Sequence, residues 1–207
     1  MKSTILVIII IICMIVLSNR HKKIYEYMTT DKVLSHNDKR VYKISSAFTD
    51  TNIAADKMSK LNKFMIDFMR FVKNKYISNW HSERYKIDFY KRMIDNYNMD
   101  TIFENNPLPG EETSFVVDKG SEFGICLRHK GENSDKFHDD NILHFVVLHE
   151  LTHLGCLSYG HEREFWSMFK IVLTDATESG LYKPVDYSKT PINYCGLIVY
   201  HNPYFKK

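Results

Sequence analysis

The sequence predicts an α+β fold that is mostly helical, with a small antiparallel sheet or hairpin beside a central buried helix and one transmembrane helix before the domain. Three observations lead to this prediction. Apolar residues recur at helical spacing in several long segments. A pair of β-type runs flanks a turn that contains glycine. An uncharged apolar run occupies most of residues 1–19.

The length and composition of the chain indicate one folded domain. A chain of 207 residues, 44% of them hydrophobic, can form one substantial core, whereas two complete domains would be difficult to accommodate. We therefore expect a transmembrane anchor (or uncleaved signal) over residues 1–19, a juxtamembrane stalk over residues 20–50 and the domain over residues 51–207. The net charge of +3 is slight, so charge alone specifies neither a nucleic acid nor an anionic membrane as partner.

The first segment, residues 3–19, is uncharged and lies between Lys2 and Arg20. As a helix it would be about 25 Å long, which is the lower limit for spanning a bilayer. An anchor and a signal peptide both fit, and the isoleucine-rich centre without an A-x-A site favours the anchor. Arg20, Lys22 and Lys23 outweigh Lys2, which predicts a single-pass membrane protein with its domain on the cytoplasmic side.

The next segments are assigned from their periodicity. Residues 21–50 are polar and show no clear period, which predicts an irregular stalk. A long helix is expected after Asp50, and a second one from Trp80 to Tyr97. The apolar stripe of the first helix consists of Met58, Leu61, Met65, Phe68 and Val72.

Residues 114–127 predict a β-hairpin with its turn at residues 118–120. Two interpretations of its strands remain open. They could be ordinary sheet strands, or one of them could be an edge strand that pairs its backbone with an extended substrate.

The sequence His149-Glu150-Leu151-Thr152-His153 lies within an apolar segment that predicts a buried helix, capped by residues 139–141. Residues four apart on a helix differ by about 40° around the axis and about 6 Å along it, so the two imidazoles converge on one point. That point suits a zinc ion. Glu150 lies beside the first ligand, where it can act as a general base without binding the metal itself.

A catalytic zinc ion usually has three protein ligands and one open position, so a third ligand is needed. His161 is the preferred candidate, because the turn at residues 158–160 lets the chain double back towards the metal. Carboxylates of the following helix remain alternatives, namely Glu164, Asp175 and Glu178. His129 and His138 are expected on the surface, and His144 in a structural role.

The C-terminal part and the cysteines complete the prediction. Residues 162–179 predict a strong helix with Gly180 as its stop, followed by an aromatic tail with a short strand near residues 194–200. Outside the apolar segment, which contains Cys13, three cysteines remain. Free thiols in a reducing compartment are favoured, and a Cys126–Cys195 bridge in an exported domain is the alternative.

Residues 149–153, the turn Tyr159-Gly160-His161 and Glu164-Phe165-Trp166 resemble the WLM and SprT-like zinc metallopeptidases. A wider frame over about residues 100–202 resembles uncharacterised, membrane-anchored metallopeptidases of large DNA viruses. The matching segments are residues 113–115, 126–128, 139–141, 182–187 and 194–196. The resemblance implies a zincin-like fold, with His149, His153 and His161 as zinc ligands and Glu150 as the catalytic base.

The sequence therefore predicts a zinc metalloendopeptidase that is anchored in a cellular or virion membrane. Its expected substrate is a protein or a peptide. Tyr159, Tyr187 and Arg128 are candidates for stabilising the developing oxyanion. One alternative is a non-enzymatic membrane or envelope component with a structural zinc site. Another is a protease acting on DNA-bound proteins, as some relatives are, but the modest charge and the apolar N-terminus argue against nucleic acid. The sequence indicates no oligomeric state.

Overall fold

The computed structural model describes residues 30–78, 83–107, 111–131 and 134–206. Four α-helices lie in these ranges: α1 (Thr51–Val72), α2 (Arg84–Asn96), α3 (Asp140–Gly155) and α4 (Arg163–Glu178). The strands are β1 (Thr30–Leu34), β2 (Val41–Ser45), β3 (Ile102–Glu104), β4 (Phe115–Val117), β5 (Glu122–Ile125), β6 (Ile192–Tyr194) and β7 (Leu197–Val199). The predicted α+β class is confirmed.

Five strands form one sheet in the order β1-β2-β3-β5-β4. The pairs β1–β2 and β4–β5 are antiparallel, whereas β3 runs parallel to both β2 and β5. The expected antiparallel hairpin is confirmed as β4–β5, but it belongs to a larger mixed sheet. Its turn requires glycine, because Gly120 has a φ of +118° and a Cβ there would lie 2.3 Å from the carbonyl oxygen of Asn96.

The stretch over residues 20–50, for which the sequence predicts an irregular stalk, differs in the structure. Its residues 30–34 and 41–45 form β1 and β2, which pair with each other from Thr30 opposite Ser45 to Leu34 opposite Val41. Tyr42 and Ile44 are buried in the core. A five-residue strand buries only two or three side chains, so its period of two is too short to stand out from polar surroundings.

The helices agree closely with their predictions. α1 begins after Asp50 and continues at its C-terminal end as a π-helical turn, Lys73–Ile77. The five residues of its predicted apolar stripe are buried. α2 begins at Arg84, and residues 79–82, with which the prediction starts this helix, lie outside the described residues. α3 contacts α1, α2 and α4, and it is therefore enclosed by helices as its apolar sequence predicts.

The favoured expectation of free thiols is wrong for two of the three cysteines of the domain, and the Cys126–Cys195 bridge offered as the alternative is present. Cys126, at the end of β5, and Cys195, in the turn between β6 and β7, form a disulfide. Cys156 is a buried free cysteine. The disulfide therefore attaches the β6–β7 hairpin to the sheet.

The predicted localisation as a single-pass membrane protein is corrected by the structure. Within the described ranges, no helix combines the length and the apolar character needed to cross a membrane. The segment over residues 1–19, on which the prediction was based, lies outside those ranges.

Candidate metal centre

Three histidines meet at one point between α3 and α4. His149 and His153 lie one turn apart on α3, and their Nε2 atoms are 3.3 Å apart. His161 comes from the loop that joins the two helices, and its Nε2 lies 2.8 Å from that of His149. Among the described residues these three form a group whose candidate ligand atoms lie within 4.8 Å of one another.

The separation of 3.3 Å between the Nε2 atoms of His149 and His153 matches a zinc ion. Zinc binds imidazole nitrogens at about 2.0–2.1 Å, so two nitrogens at a tetrahedral angle lie about 3.3 Å apart. Each neutral imidazole has one nitrogen that only accepts hydrogen bonds, and three such nitrogens facing one another cannot all be satisfied by mutual contacts. A divalent cation would satisfy all three at once.

The surroundings of the three rings favour the neutral form that a metal requires. Burial lowers the pKa of His149 well below its usual range and that of His153 to about 4, and the neighbouring histidines act in the same direction. Burial also lowers the pKa of His161. Phe165 packs against all three imidazoles, with centroid separations of 4.3–4.7 Å. The rings are thus held together by an apolar neighbour.

Glu150 lines the same cleft as the histidines and is 5% exposed. Burial raises the pKa of its carboxyl to about 8, and the nearby charge of Glu112 adds to the shift. A divalent cation beside it would oppose this shift, because it favours the ionised carboxylate. Glu150 directly follows His149 in the sequence, and both residues line the cleft.

The carboxylates that were alternatives for the third ligand are bound elsewhere. Glu164 accepts hydrogen bonds from the loop before α4. Asp175 accepts hydrogen bonds from Tyr76, Tyr90 and Lys75. Glu178 forms an ion pair with Lys75. The structure thus places His161, and none of these acids, beside His149 and His153.

The three oxyanion candidates are separated in the structure. Tyr159 lines the cleft, whereas Tyr187 is buried in the core. Arg128 is bound by the carboxylates of Glu104 at 2.9 Å and Asp50 at 2.7 Å. Of the three, Tyr159 alone borders the described cleft.

His201 also lines the cleft, and the sequence analysis did not single it out. Its ring centroid lies 6.1 Å from that of Trp166, which itself lies 5.6 Å from the ring of His161. It follows His161 by 40 residues in an aperiodic tail, so no spacing rule connects it to the site. The available signal was a histidine inside an aromatic segment.

Two further histidines have structural contacts. His144 stacks on Phe64 with a centroid separation of 3.9 Å, in agreement with the structural role expected for it. The surface position expected for His138 is wrong, because this residue is 1% exposed and its Nε2 accepts a hydrogen bond from the backbone N–H of Cys195. The β6–β7 hairpin covers His138. This contact could not be predicted from the polar loop that contains His138.

The cleft has a volume of about 590 Å³ and is bounded by three elements besides α3. The residues of β4 form one wall, and β4 is an outer strand of the sheet. The β6–β7 hairpin and Trp166 of α4 contribute the other lining residues. β4 is thus an outer strand that lines the same cleft as the histidines, and its pairing with a substrate stays a prediction.

The fold and the site define an α+β protein with a candidate three-histidine metal centre. No protein-family model matches the chain. In sequence it is similar to uncharacterized protein R325 of Acanthamoeba polyphaga mimivirus, with 36% identity over 118 residues, 55% of this chain and 58% of the relative. It is also similar to uncharacterized protein 136R of Invertebrate iridescent virus 6, with 34% identity over 116 residues, 56% of this chain and 61% of the relative.

The chain thus spans about 60% of the length of the curated relatives that it matches. The predicted resemblance to viral proteins is confirmed as sequence similarity over part of the chain. Membership of the WLM and SprT-like metallopeptidases stays a prediction. Among solved structures, it is similar to a Wss1 mutant from Saccharomyces cerevisiae, with a TM-score of 0.48, 15% identity and coverage of 67% of this chain and 92% of that chain. Wss1 itself gives a TM-score of 0.44, with 15% identity and coverage of 66% and 89%. These structural likenesses are weak.

Proposed function

We propose that this protein is a zinc-dependent metallopeptidase. The observation that carries the proposal is the convergence of three imidazole nitrogens beside the buried carboxylate of Glu150, in a cleft bordered by an outer strand. His149, His153 and His161 would hold the ion. When bound, zinc supplies a Lewis acid that makes water easier to deprotonate and polarises a carbonyl group.

A three-ligand set favours a catalytic over a structural zinc site. Structural zinc sites usually have four protein ligands, whereas catalytic ones keep one position open. The described residues offer three histidines at this point. All three histidines line the cleft, so a substrate in the cleft would be able to reach the open position.

Glu150 acts as the general base in this proposal. Its carboxylate accepts a proton from the attacking water and then passes it to the nitrogen of the leaving amine. The base must be the ionised carboxylate, and a bound cation favours that form. The buried position of Glu150 keeps bulk water from competing for that proton.

β4 orients the substrate. One side of β4 pairs with β5, and among the described strands none pairs with its other side, where an outer strand presents backbone N–H and C=O groups. An extended peptide can add to this edge and form main-chain hydrogen bonds irrespective of its side chains. The scissile carbonyl would then lie over the histidines, since α3 and β4 line the same cleft.

The test compares Glu150→Gln with Glu162→Gln in the full chain loaded with zinc. Glu162 is an exposed glutamate just before α4, so its replacement removes the same charge without reaching the cleft lining. We expect Glu150→Gln to retain zinc, measured by mass spectrometry of the metal, and to lower the rate of casein cleavage about 100- to 10,000-fold. The Glu162→Gln variant should cleave casein at the wild-type rate.

Undiminished cleavage by Glu150→Gln would refute the role of the base. A wild-type chain that binds zinc and cleaves neither casein nor a mixed library of fluorogenic peptides would refute the peptidase proposal and leave a zinc-binding protein.

A further inference from the structure

The third histidine differs from the other two in how it is held. His149 and His153 project from the buried helix α3, which fixes their directions. His161 is exposed and lies in the connecting loop, residues 156–162, where Gly160 has a φ of +71°. Ordering a free loop costs backbone entropy. The affinity for a metal therefore depends on what holds this loop before the metal arrives.

The side chain of Glu164 makes three hydrogen bonds to the loop. It lies in the first turn of α4 and reaches back to residues 157 and 158. Its Oε1 accepts from the backbone N–H of Leu157 at 3.0 Å, and its Oε2 accepts from the backbone N–H and the hydroxyl of Ser158 at 2.9 Å and 2.8 Å. Hydrogen bonds to a charged acceptor are stronger than those between neutral groups. Both oxygens of Glu164 are thus used to fix the start of the loop.

Lys119, in the β4–β5 turn, holds the same part of the loop from another element. Its Nζ donates to the carbonyl oxygen of Ser158 at 2.7 Å and to that of His153 at 3.1 Å. It also lies 4.6 Å from the ring centroid of Tyr159. The backbone N–H and the hydroxyl of Ser158 therefore donate to an anion, and its C=O accepts from a cation, three residues before His161.

We propose that Glu164 is a positioning residue for the metal centre: by binding the backbone of Leu157 and Ser158 it holds the loop so that His161 meets His149 and His153. The proposal rests on the proposed zinc site. It gives a role to a carboxylate that the sequence offered as a ligand and that the structure places against the loop instead. Partners that orient a ligand typically change metal affinity 10- to 100-fold when they are removed.

The experiment measures zinc affinity by competition with a chelator in the full chain. We expect Glu164→Ala to raise the dissociation constant for zinc about 10- to 100-fold. Glu164→Gln keeps the size of the side chain but has one acceptor oxygen, so its loss should be smaller. Glu162→Gln is the matched control, because it removes a glutamate charge next to His161 and should leave the affinity within twofold of the wild type. The visible spectrum of the Co²⁺-loaded protein reports whether the coordination changes.

A double-mutant cycle with His161→Ala separates positioning from general stability. If Glu164 acts through His161, Glu164→Ala should weaken zinc binding in the wild type and have no further effect in the His161→Ala background. Equal losses in both backgrounds would show a merely structural role and overturn the proposal. Far-UV circular dichroism of the metal-free variants verifies that each one is folded.

The zinc affinity of the wild type distinguishes a failure of this inference from a failure of the proposed zinc site. A wild type that binds zinc with an affinity equal to that of Glu164→Ala overturns the positioning role alone. A wild type that takes up no zinc overturns the zinc site and the positioning role together.

Discussion

At the scale of single residues, the two helix-borne histidines and Glu150 were predictable because an α-helix fixes the directions of residues one turn apart. The turn before His161 favours it as the third ligand, whereas the contacts of its loop with Glu164 and Lys119 follow from tertiary packing. The contact of Phe165 with all three rings follows from how α4 packs on α3, and no local rule predicts it. Helix geometry therefore predicts the residues of the site on α3, whereas the contacts made by α4 and the loop depend on tertiary packing.

His138 provides a residue-scale prediction about pH. Burial lowers its pKa to about 4 from an ordinary 6.5, and the neighbouring His129 adds to the shift. Between pH 6.5 and 4 the unfolded chain binds the proton and the folded chain does not, so stability falls as the pH is lowered through this range. The contribution is at most about 3 kcal/mol. We expect the chemical denaturation midpoint of His138→Asn to fall less steeply over this range than that of the wild type, and parallel pH profiles would contradict the prediction.

At the scale of elements, the sequence predicts the long helices and does not predict the short strands β1 and β2. α1 repeats its apolar spacing over 22 residues, whereas β1 and β2 have five residues each. The hairpin β4–β5 is local and was predicted, but the parallel pairing of β3 with β2 and with β5 joins strands that are distant in the chain. Sequence periodicity specifies which residues face inwards and does not specify such partners.

The junction of α4 with the π-helical turn depends on one buried carboxylate. Asp175 is 2% exposed and accepts hydrogen bonds from the hydroxyls of Tyr76 and Tyr90 and from Nζ of Lys75. We expect Asp175→Ala to lower the free energy of unfolding by about 3–5 kcal/mol, because it removes the acceptor of two buried hydroxyls and the buried partner of Lys75.

The matched control for this junction is Glu178→Ala, which removes the exposed partner of the same lysine. It should cost less than about 1 kcal/mol. The measurement is urea denaturation of both variants in the presence of a chelator. Equal losses for the two variants would mean that Asp175 does not hold the junction.

At the scale of the whole molecule, the disulfide is the main long-range constraint. It joins residues 69 positions apart and attaches the β6–β7 hairpin to β5. The chain-entropy relation gives about 4 kcal/mol for a loop of this length. We expect the double substitution Cys126→Ser with Cys195→Ser to lower the thermal midpoint strongly, and a reducing agent to do the same to the wild type. A midpoint that does not respond to the reducing agent would show that the bridge is not formed in solution.

The positions of the site residues along the chain have a consequence for assembly. All three imidazoles lie between residues 149 and 161, within one helix-loop-helix unit, whereas the walls of the cleft come from residues 112–119 and 194–201. Contacts between near neighbours form faster than those that must close long loops. Refolding should therefore bring the three imidazoles together first and enclose the cleft around them later.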